Sequence, residues 1–376
     1  MSDIYTPTAK QNLTFTRGLD GDPEAAAFTN VWLQALSDHG AYLAAAAQAL
    51  PALNWGTSVA PPTPASMKRG CYSAATGMWF AVGETGMDYL VASGDSGGTW
   101  TAITITGGSG LGTFDVAADA TGNIAITNAN SKSVYYRTIA NVWTNAANQL
   151  GATGGAQPYI AFDTTNSQWV ACFRDGATGI KVYLSANGTA WAAAAASAPT
   201  WAASTDVPKM GTGAGRVLVV HGSGTTYQMA IGGTAGTSWT ETAITTTITP
   251  TSFTRPIWDA TNLVWIVAFS TATAAEVWSS PDGSTWTRKA QWTLNGIQTI
   301  APLAGGSLWL AIDNQSAGAS YYSLDAGATW RGCNTQLFPT ATPTVLVSGG
   351  GMFMAFESTV LCRPSLRMGP GPVLTL

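Results

Sequence analysis

One motif returns along most of this chain at a near-constant interval. It has the form Ser-x-Asp-x-Gly-x-Thr-Trp, and two copies are complete: SGDSGGTW, which ends at Trp100, and SLDAGATW, which ends at Trp330. SSPDGSTW, ending at Trp286, and LSANGTAW, ending at Trp191, keep the turn with slightly altered spacing. Because a structural unit repeated at a fixed period specifies a repeat architecture, this periodicity constrains the fold more than any other feature.

The interval between the motif tryptophans matches the length of one propeller blade. Weaker copies end at Trp143 and Trp239, and the steps from Trp100 to Trp330 are 43, 48, 48, 47 and 44 residues. Trp55 lies 45 residues before Trp100, which extends the series to seven positions. A period of this size is typical of a four-stranded blade.

A second marker, a short apolar run, precedes the motif tryptophan by 21 or 22 residues in the four clearest repeats. Runs such as GMWFAV around Trp79 and VWIVAF around Trp265 have the length and composition of buried strands. NIAIT and RVLVV hold the same place in the weaker repeats, and GMFMAF around Phe353 brings the count to seven. Both markers therefore predict an all-β fold, a seven-bladed β-propeller over residues 53–376.

A ring of blades must close, and two segments compete to supply its last strand. After Trp330 the chain offers three strands, TVLVS, MFMAF and TVLCRP. Either LNWGTSV near Trp55 or the C-terminal PVLTL is expected to add the fourth. Closure matters because an isolated blade would expose both faces and an edge.

The motif SxDxGxTW resembles the Asp-box, also called the bacterial neuraminidase repeat, of sialidases, Vps10-type sorting receptors, several glycosidases and many phage proteins. The resemblance implies a propeller in which the motif forms the hairpin between the third and outer strands. In such a turn the carboxylate accepts backbone N–H groups, Gly permits positive φ, and Trp packs between blades. The residues expected to have this structural role are Asp95, Trp100, Asn187, Trp191, Asp282, Trp286, Asp325 and Trp330.

The residues that sialidases use for catalysis are not recovered in this sequence. That family relies on an arginine triad, an RIP motif near the start of the first blade, a Tyr/Glu pair and an acid Asp. The nearest string, FTRP at 253–256, lies far downstream and lacks the order of the motif, so Arg255 is not assigned to substrate binding. No catalytic residue is assigned.

Candidate binding residues lie between the second and third strands of three blades. In propellers of this family such loops open on the face opposite the Asp-boxes, where ligands bind. Glu84 and Asp88 would also suit glycoside hydrolysis by two carboxylates, although acids in a polar loop are ordinarily solvated. The candidates are Glu84, Asp88, Arg174, Asp175, Asn314 and Gln315.

Charge and composition argue against several classes of partner. The formal net charge is -4, so no overall positive field attracts nucleic acid. No apolar segment approaches the roughly 20 residues of a membrane helix, and the N-terminus lacks the pattern of a signal peptide. With only two histidines there is no HExxH motif, and neither a metal nor a cofactor is predicted.

Residues 1–52 are interpreted as an attachment and oligomerisation segment. Asp22 and Pro23 form a good helix start, and apolar residues at helical spacing predict a helix at about 23–50. The apolar stripe packs against the propeller or against other copies of the chain, and both possibilities stay open. The FTRG string followed by a helix resembles the N-terminal attachment segments of phage tail-fibre and related virion proteins.

The leading interpretation is a phage virion protein of the tail-fibre, head-fibre or decoration type. It would be assembled in the host cytoplasm as a homo-oligomer, with residues 1–52 joined to other virion proteins. The propeller would bind a host-surface glycan or protein, each contact being weak and many copies adding avidity. The alternatives are a glycoside hydrolase or lyase acting on surface polysaccharide, and a structural cap without a ligand.

Overall fold

The computed structural model describes part of the propeller region and none of residues 1–51. The chain divides into two units, 1–51 and 52–376, and every described residue lies in the second. The helix predicted at about 23–50 and the tryptophan at position 55 lie outside the described residues. The described residues are 59, 62, 67–83, 89–106, 112–128, 133–146, 150, 158–174, 180–194, 208–233, 238–292, 295–303, 308–314, 319–332, 343–357 and 362–364.

Successive strands of the chain pair antiparallel, and the first four sheets have four strands each. The first contains β1 (Met67–Ser73), β2 (Met78–Gly83), β3 (Tyr89–Ser93) and β4 (Thr101–Thr104). The second contains β5 (Thr113–Ala118), β6 (Ile124–Asn128), β7 (Val134–Arg137) and β8 (Trp143–Asn145). The third contains β9 (Tyr159–Asp163), β10 (Gln168–Arg174), β11 (Ile180–Ser185) and β12 (Ala192–Ala193). The fourth contains β13 (Lys209–Gly213), β14 (Arg216–Ser223), β15 (Thr226–Gly233) and β16 (Trp239–Thr245).

The remaining three sheets differ in strand number. The fifth contains β17 (Ser252–Phe253), β18 (Ile257–Asp259), β19 (Val264–Ser270), β20 (Ala275–Ser280) and β21 (Thr287–Trp292), and both β17 and β18 pair with β19. The sixth contains β22 (Ile297–Pro302), β23 (Trp309–Asp313), β24 (Ser320–Ser323) and β25 (Arg331–Gly332). The last contains β26 (Pro343–Gly349), β27 (Met352–Glu357) and β28 (Cys362–Pro364).

The number of complete blades is smaller than predicted. Six sheets have the four or more strands of a blade, and the sheet β26 to β28 has three among the described residues. The prediction of seven complete blades is therefore wrong for the described part of the chain, in which the last sheet has no fourth strand. Both predicted sources of that strand fall almost wholly outside the described residues, but Val59, the last residue of LNWGTSV, packs on the cluster between the last and first sheets.

The sheets are arranged in a ring, and the all-β propeller fold is confirmed. The innermost strands contact one another in the order β1, β5, β9, β13, β18, β22 and β26, and β26 contacts β1. An apolar cluster lies between each pair of neighbouring sheets in the described residues. Both faces of each sheet are thus buried, which is the main source of stability in a fold of this kind.

The apolar runs found in the sequence form the second strands, as predicted. Their aromatic residues Trp79, Trp169, Trp265, Trp309 and Phe353 are fully buried. A fully buried indole removes a large apolar area from water, which explains why this position is occupied by tryptophan in four of the sheets.

A second kind of acidic turn joins inner and second strands, and it was not recognised in the sequence. In DATN the carboxylate of Asp259 accepts the N–H of Thr261 at 2.9 Å and the side-chain amide of Asn262 at 2.6 Å. Its Oδ2 also accepts the indole N–H of Trp309 in the next sheet at 2.5 Å. The turn therefore links neighbouring sheets. Similar bonds within the turn are made by Asp119 and Asp163.

The Asp-box side chains bond within their own turns. Asp282 Oδ1 accepts the backbone N–H groups of Ser284 at 2.8 Å and Thr285 at 2.7 Å. The N–H of Gly283 donates to Ser280 Oγ at 2.7 Å, which closes the other side of the turn. Equivalent acceptors in the other three turns are Asp95, Asn187 and Asp325.

Glycine is required in these turns for two reasons. Gly283 has a φ of 76°, in the left-handed region that residues with a Cβ avoid. A Cβ at this position would also lie 2.5 Å from Cδ1 of Ile231 in the preceding sheet. The turn therefore packs against Ile231 of the preceding sheet, and a larger residue in place of Gly283 would separate the two sheets.

The motif tryptophans pack in the clusters between sheets and also fasten the turns. The indole N–H groups of Trp191, Trp286 and Trp330 donate to the glycine carbonyl of their own turns at 2.9 to 3.0 Å. Trp100 lies instead at the seam between the last and first sheets, where its ring meets that of Phe356 edge-on at 5.9 Å. Trp191, Trp286 and Trp330 therefore stabilise both a turn and an interface between sheets, and Trp100 stabilises the interface at the seam.

Replacing Asp282 with alanine should weaken the ring measurably. We expect Asp282→Ala to lower the free energy of unfolding by about 1–2 kcal/mol, because two backbone N–H groups lose their acceptor. Asp282→Asn should cost less, since Asn187 makes the same bonds in its own turn. Urea unfolding followed by circular dichroism measures both; a loss from Asp282→Asn as large as that from Asp282→Ala would contradict this role.

The Asp-box carboxylates should make stability depend on acidity. Hydrogen bonds, chiefly from the backbone N–H of Thr99 and of Thr285 respectively, lower the pKa of Asp95 and of Asp282 to about 2. Such a group stabilises the fold above its unfolded pKa of about 4, and that contribution is lost as the pH falls through the folded pKa. We expect the melting temperature to fall between about pH 4 and pH 2, and less steeply in the double variant Asp95→Asn with Asp282→Asn. Identical acid profiles for the two proteins would contradict the assignment.

Candidate binding site at the centre of the ring

The two faces of the ring carry different connections. Each second strand runs antiparallel to its inner strand, so inner strands begin at the face where second strands end and third strands begin. We call this face the loop face, because the predicted binding loops join those strands. The Asp-box turns, between the third and outer strands, lie at the opposite face, which we call the turn face.

One register position recurs near the loop-face end of the inner strands. Its partner on the second strand lies three residues after the position that Trp79 occupies in the first apolar run. The pairs are Arg69 with Val82, Asp115 with Thr127, Tyr159 with Cys172, Lys209 with Val220, Thr299 with Ile312, and Val345 with Phe356. In the fifth sheet Arg255 lies at the corresponding level. We call Arg69, Asp115, Tyr159, Lys209 and Arg255 the central charged layer.

Arg255 enters this layer from a break in the inner strand of the fifth sheet. β17 ends at Phe253 and β18 begins at Ile257. Across the break, Thr254 replaces regular pairing with two bonds to Ala268, one from its backbone N–H at 2.8 Å and one to its Oγ1 at 2.9 Å. Pro256 follows Arg255, and a proline has no N–H to donate to a neighbouring strand. The guanidinium group of Arg255 is consequently directed across the ring.

The guanidinium of Arg255 links four sheets. Its Nη1 lies 3.0 Å from Asp115 Oδ2 in the second sheet, and its Nη2 donates to the carbonyl of Ile160 in the third sheet at 2.7 Å. Its Nε donates to the carbonyl of Met210 in the fourth sheet at 2.5 Å. Asp115 is fully buried and also accepts the N–H of Ile160 at 2.9 Å. Because a buried charge is costly unless it is paired, this network holds the inner strands in register.

Two guanidinium groups lie against Tyr159. The Cζ atoms of Arg69 and Arg255 are both 5.6 Å from the centroid of the ring, and Arg69 Nη2 donates to the phenol oxygen at 3.3 Å. This is the distance of a cation–π contact. Burial raises the pKa of Tyr159 and outweighs the opposing effect of Arg69, so the phenol is neutral at physiological pH.

Lys209 lies in the same layer and is half-buried. Its ammonium donates to the carbonyl of Phe253 and lies 4.9 Å from the centroid of the Phe253 ring. Burial, and then the positive charge of Arg69, lower the pKa of Lys209 to about 7. The charge of this side chain therefore changes near neutral pH.

The central charged layer is positive within a chain of net negative charge. Among the described residues it contains three cationic side chains and one carboxylate, whereas the whole chain has a formal net charge of -4. The oxygens of Asp115 already accept bonds from Arg255 and from two backbone N–H groups. These bonds leave that carboxylate no evident role in proton transfer.

The predicted loop residues are only partly described. Arg174 is the last residue of β10, where it pairs with Ile180 at the loop face. Asn314 follows β23; its side-chain amide donates to the carbonyl of Thr271 and its backbone N–H to that of Gly296, both at 3.0 Å. Asn314 therefore joins the fifth and sixth sheets. Glu84, Asp88, Asp175 and Gln315 lie outside the described residues.

Sequence reasoning missed the central charged layer. Arg69, Lys209 and Arg255 belong to three different repeats and form no motif along the chain. Only their positions could have indicated the layer. Each of these three cations lies near the start of an inner strand, and the string FTRP combines a cation with a strand-breaking proline.

Candidate metal sites and membrane-spanning helices are both lacking in the part of the chain that the structure describes. In them, no group of three or more His, Cys, Asp or Glu side chains is placed to hold a metal ion. The same residues contain no helix long and apolar enough to cross a membrane.

Comparison with known proteins identifies the fold. No protein-family model and no curated protein matches the chain. A structure of YCF48 bound to D1 peptide is 14% identical, with a TM-score of 0.62, over 83% of this chain and 94% of that one. YCF48 from Cyanidioschyzon merolae is 16% identical, with a TM-score of 0.60, over 83% and 98% of the two chains. Virginiamycin B lyase from Staphylococcus aureus is 10% identical, with a TM-score of 0.64, over 83% and 100%. At these identities the likeness shows the fold alone, and that fold is the β-propeller.

Proposed function

We propose that this chain is a phage virion protein of the tail-fibre, head-fibre or decoration type, and that its propeller binds a host-surface glycan or protein without cleaving it. The observation that carries the proposal is the unequal distribution of polar groups between the two faces. Acids at the turn face are bonded within their own turns, whereas at the centre of the loop face the described residues place the guanidinium groups of Arg69 and Arg255 against the aromatic ring of Tyr159. The loop face is therefore the ligand face.

The same proposal extends to the architecture. Each of the sheets represents one blade of a seven-bladed Asp-box propeller, and residues 53–59 supply the outer strand of the last blade. The packing of Val59 between the last and first sheets supports this choice over the C-terminal PVLTL. Four Asp-box turns with the same internal bonds support the family.

Binding is favoured over glycoside hydrolysis by the state of the central carboxylate. Hydrolysis by two carboxylates requires an acid and a second group that are available to the substrate. In the described residues the central layer offers only Asp115, which is fully buried and paired with Arg255. Among propellers of similar structure one holds a peptide and another is a lyase, so the fold alone decides neither function.

The virion assignment rests on residues 1–52, which we propose attach the propeller to other virion proteins and assemble several copies. A homo-oligomer would display several loop faces together. Weak individual contacts would then add up to firm attachment through their high effective concentration.

Binding and cleavage are separated by one experiment on the full chain. We expect saturable retention of the protein on host envelope polysaccharide or cells, with no release of reducing ends. Arg174→Ala at the loop face should weaken retention several-fold, whereas Lys289→Ala on the exposed outer strand β21 should not. New reducing ends would favour the hydrolase, and absence of retention would contradict adhesion.

The virion assignment has its own test. Mass spectrometry of purified virions should detect the chain as a stoichiometric component. Its absence from the particles would overturn this part of the proposal, whatever the outcome of the binding experiment.

A further inference from the structure

The side chain of Arg255 crosses the space that the inner strands enclose. Around the ring the innermost strands follow one another in the order β1, β5, β9, β13, β18, β22 and β26, and β26 contacts β1. The fifth sheet, which contains Arg255, is therefore separated from the second by two sheets in one direction and by three in the other. Its guanidinium group nevertheless lies 3.0 Å from the carboxylate of Asp115 in the second sheet. Arg255 thus bonds across the centre of the ring.

The acceptors around this guanidinium match the directions of its N–H groups. Nη1, Nη2 and Nε each donate to an acceptor in a different sheet, respectively Asp115, Ile160 and Met210. The centroid of the Tyr159 ring lies 5.6 Å from Cζ of Arg255, which is the distance of a cation–π contact. Acceptors on several sides together with an aromatic ring suit a planar, delocalised cation. An ammonium has neither the plane nor the rigid fork of donors.

These acceptors are held in place by bonds that do not involve Arg255. The carboxylate of Asp115 also accepts the backbone N–H of Ile160 at 2.9 Å. The backbone N–H of Asp115 donates to Thr127 Oγ1 at 3.1 Å. Ile160 and Met210 belong to β9 and β13, whose positions are fixed by pairing with β10 and β14. The acceptors therefore form a preorganised site that persists when its donor is removed.

The other ion pair of the fifth sheet shows what an ordinary pair looks like in this protein. Arg288 and Glu276 lie 3.3 Å apart on β21 and β20, which are adjacent strands. The bonds of that guanidinium are made by Nη1, to Glu276 and to Thr247 Oγ1, and the side chain is 38% exposed. Arg255 instead comes from the break between β17 and β18 and donates through all three nitrogen atoms. Its surroundings resemble those of a bound ligand.

We propose that the centre of the ring contains a guanidinium-binding site and that Arg255 occupies this site as an internal ligand. The site consists of the carboxylate of Asp115, the carbonyls of Ile160 and Met210, and the ring of Tyr159. Because Arg255 fills it, the site is closed to added cations in the wild type, and the side chain blocks passage along the ring axis at this level. The inference is independent of the proposed function, since it involves no host ligand.

A simple ion pair would behave differently from a site with an internal ligand. If Arg255 itself arranged its acceptors, they would rearrange once it was removed, and no added cation would find a place there. If the site is preorganised, its shape and charge remain after the side chain is lost. A small guanidinium compound should then bind in its place.

The test uses Arg255→Ala in the full chain, titrated calorimetrically with methylguanidinium chloride at constant ionic strength. We expect this variant to melt about 5 °C or more below the wild type, because Asp115 is left buried without its partner. It should bind one methylguanidinium per chain with a dissociation constant on the order of 1–10 mM and regain part of the lost melting temperature. Methylammonium has the same charge but should bind at least about tenfold more weakly. The wild type should bind neither compound at these concentrations.

Two control variants separate this site from general cation binding. Arg288→Ala removes a guanidinium that is also paired with a buried carboxylate, and methylguanidinium should not raise its melting temperature. Adding Asp115→Asn to Arg255→Ala should weaken methylguanidinium binding at least about tenfold, because the charge of the site is lost. Circular dichroism establishes that each variant is folded. No binding by folded Arg255→Ala, equal binding by the wild type or Arg288→Ala, or equal affinity for methylammonium would each overturn the proposal.

Nuclear magnetic resonance of the wild type keeps the proposal testable if Arg255→Ala does not fold. In protein labelled with ¹⁵N-arginine, a guanidinium bonded on all sides should show a slowly exchanging Nε–H and separate signals for its two Nη groups. We expect one arginine with this signature whose signals disappear in Arg255→Lys, which keeps the positive charge. Rapidly exchanging, averaged signals for Arg255 would show that its guanidinium is not held in a site, and the proposal would be wrong.

Discussion

The structure depends on the contact between its last and first sheets. Each sheet has two apolar faces, and only a closed ring buries both faces of every sheet. At the seam, Met67 and Trp79 of the first sheet share a cluster with Met352 and Phe356 of the last. Gly70 permits this approach, since a Cβ there would lie 2.6 Å from the ring of Phe356. Without the seam, the remaining interfaces would form an open arc with two exposed apolar ends.

Ring closure also explains the central charged layer. Inner strands that are distant in the sequence begin side by side at one face, so single residues from several repeats meet at the centre. Arg255 uses this geometry to reach three other sheets, through its ion pair with Asp115 and its bonds to the carbonyls of Ile160 and Met210. The interactions that hold the ring together thus also place the cations from which we infer ligand binding.

The sequence predicted the features that repeat and missed those that do not. The blade period and the buried second strands were predictable from local patterns. The apolar runs, such as the one around Trp79, and the Asp-box turns both recur along the chain. The central layer was not, since it depends on the register of every inner strand. Arg255 was set aside for lacking a motif, although Pro256 marks the break that directs it inward. The number of complete blades was overstated, because the last sheet has three strands among the described residues.

The seam is tested most directly by a double-mutant cycle between Trp100 of the first sheet and Phe356 of the last, whose ring centroids are 5.9 Å apart. Free energies of unfolding would be measured in urea for Trp100→Leu, Phe356→Leu and the double variant. A closed ring predicts that the two effects are coupled by about 0.5–1.5 kcal/mol. Additive effects would contradict closure, because they would show that the last sheet does not meet the first.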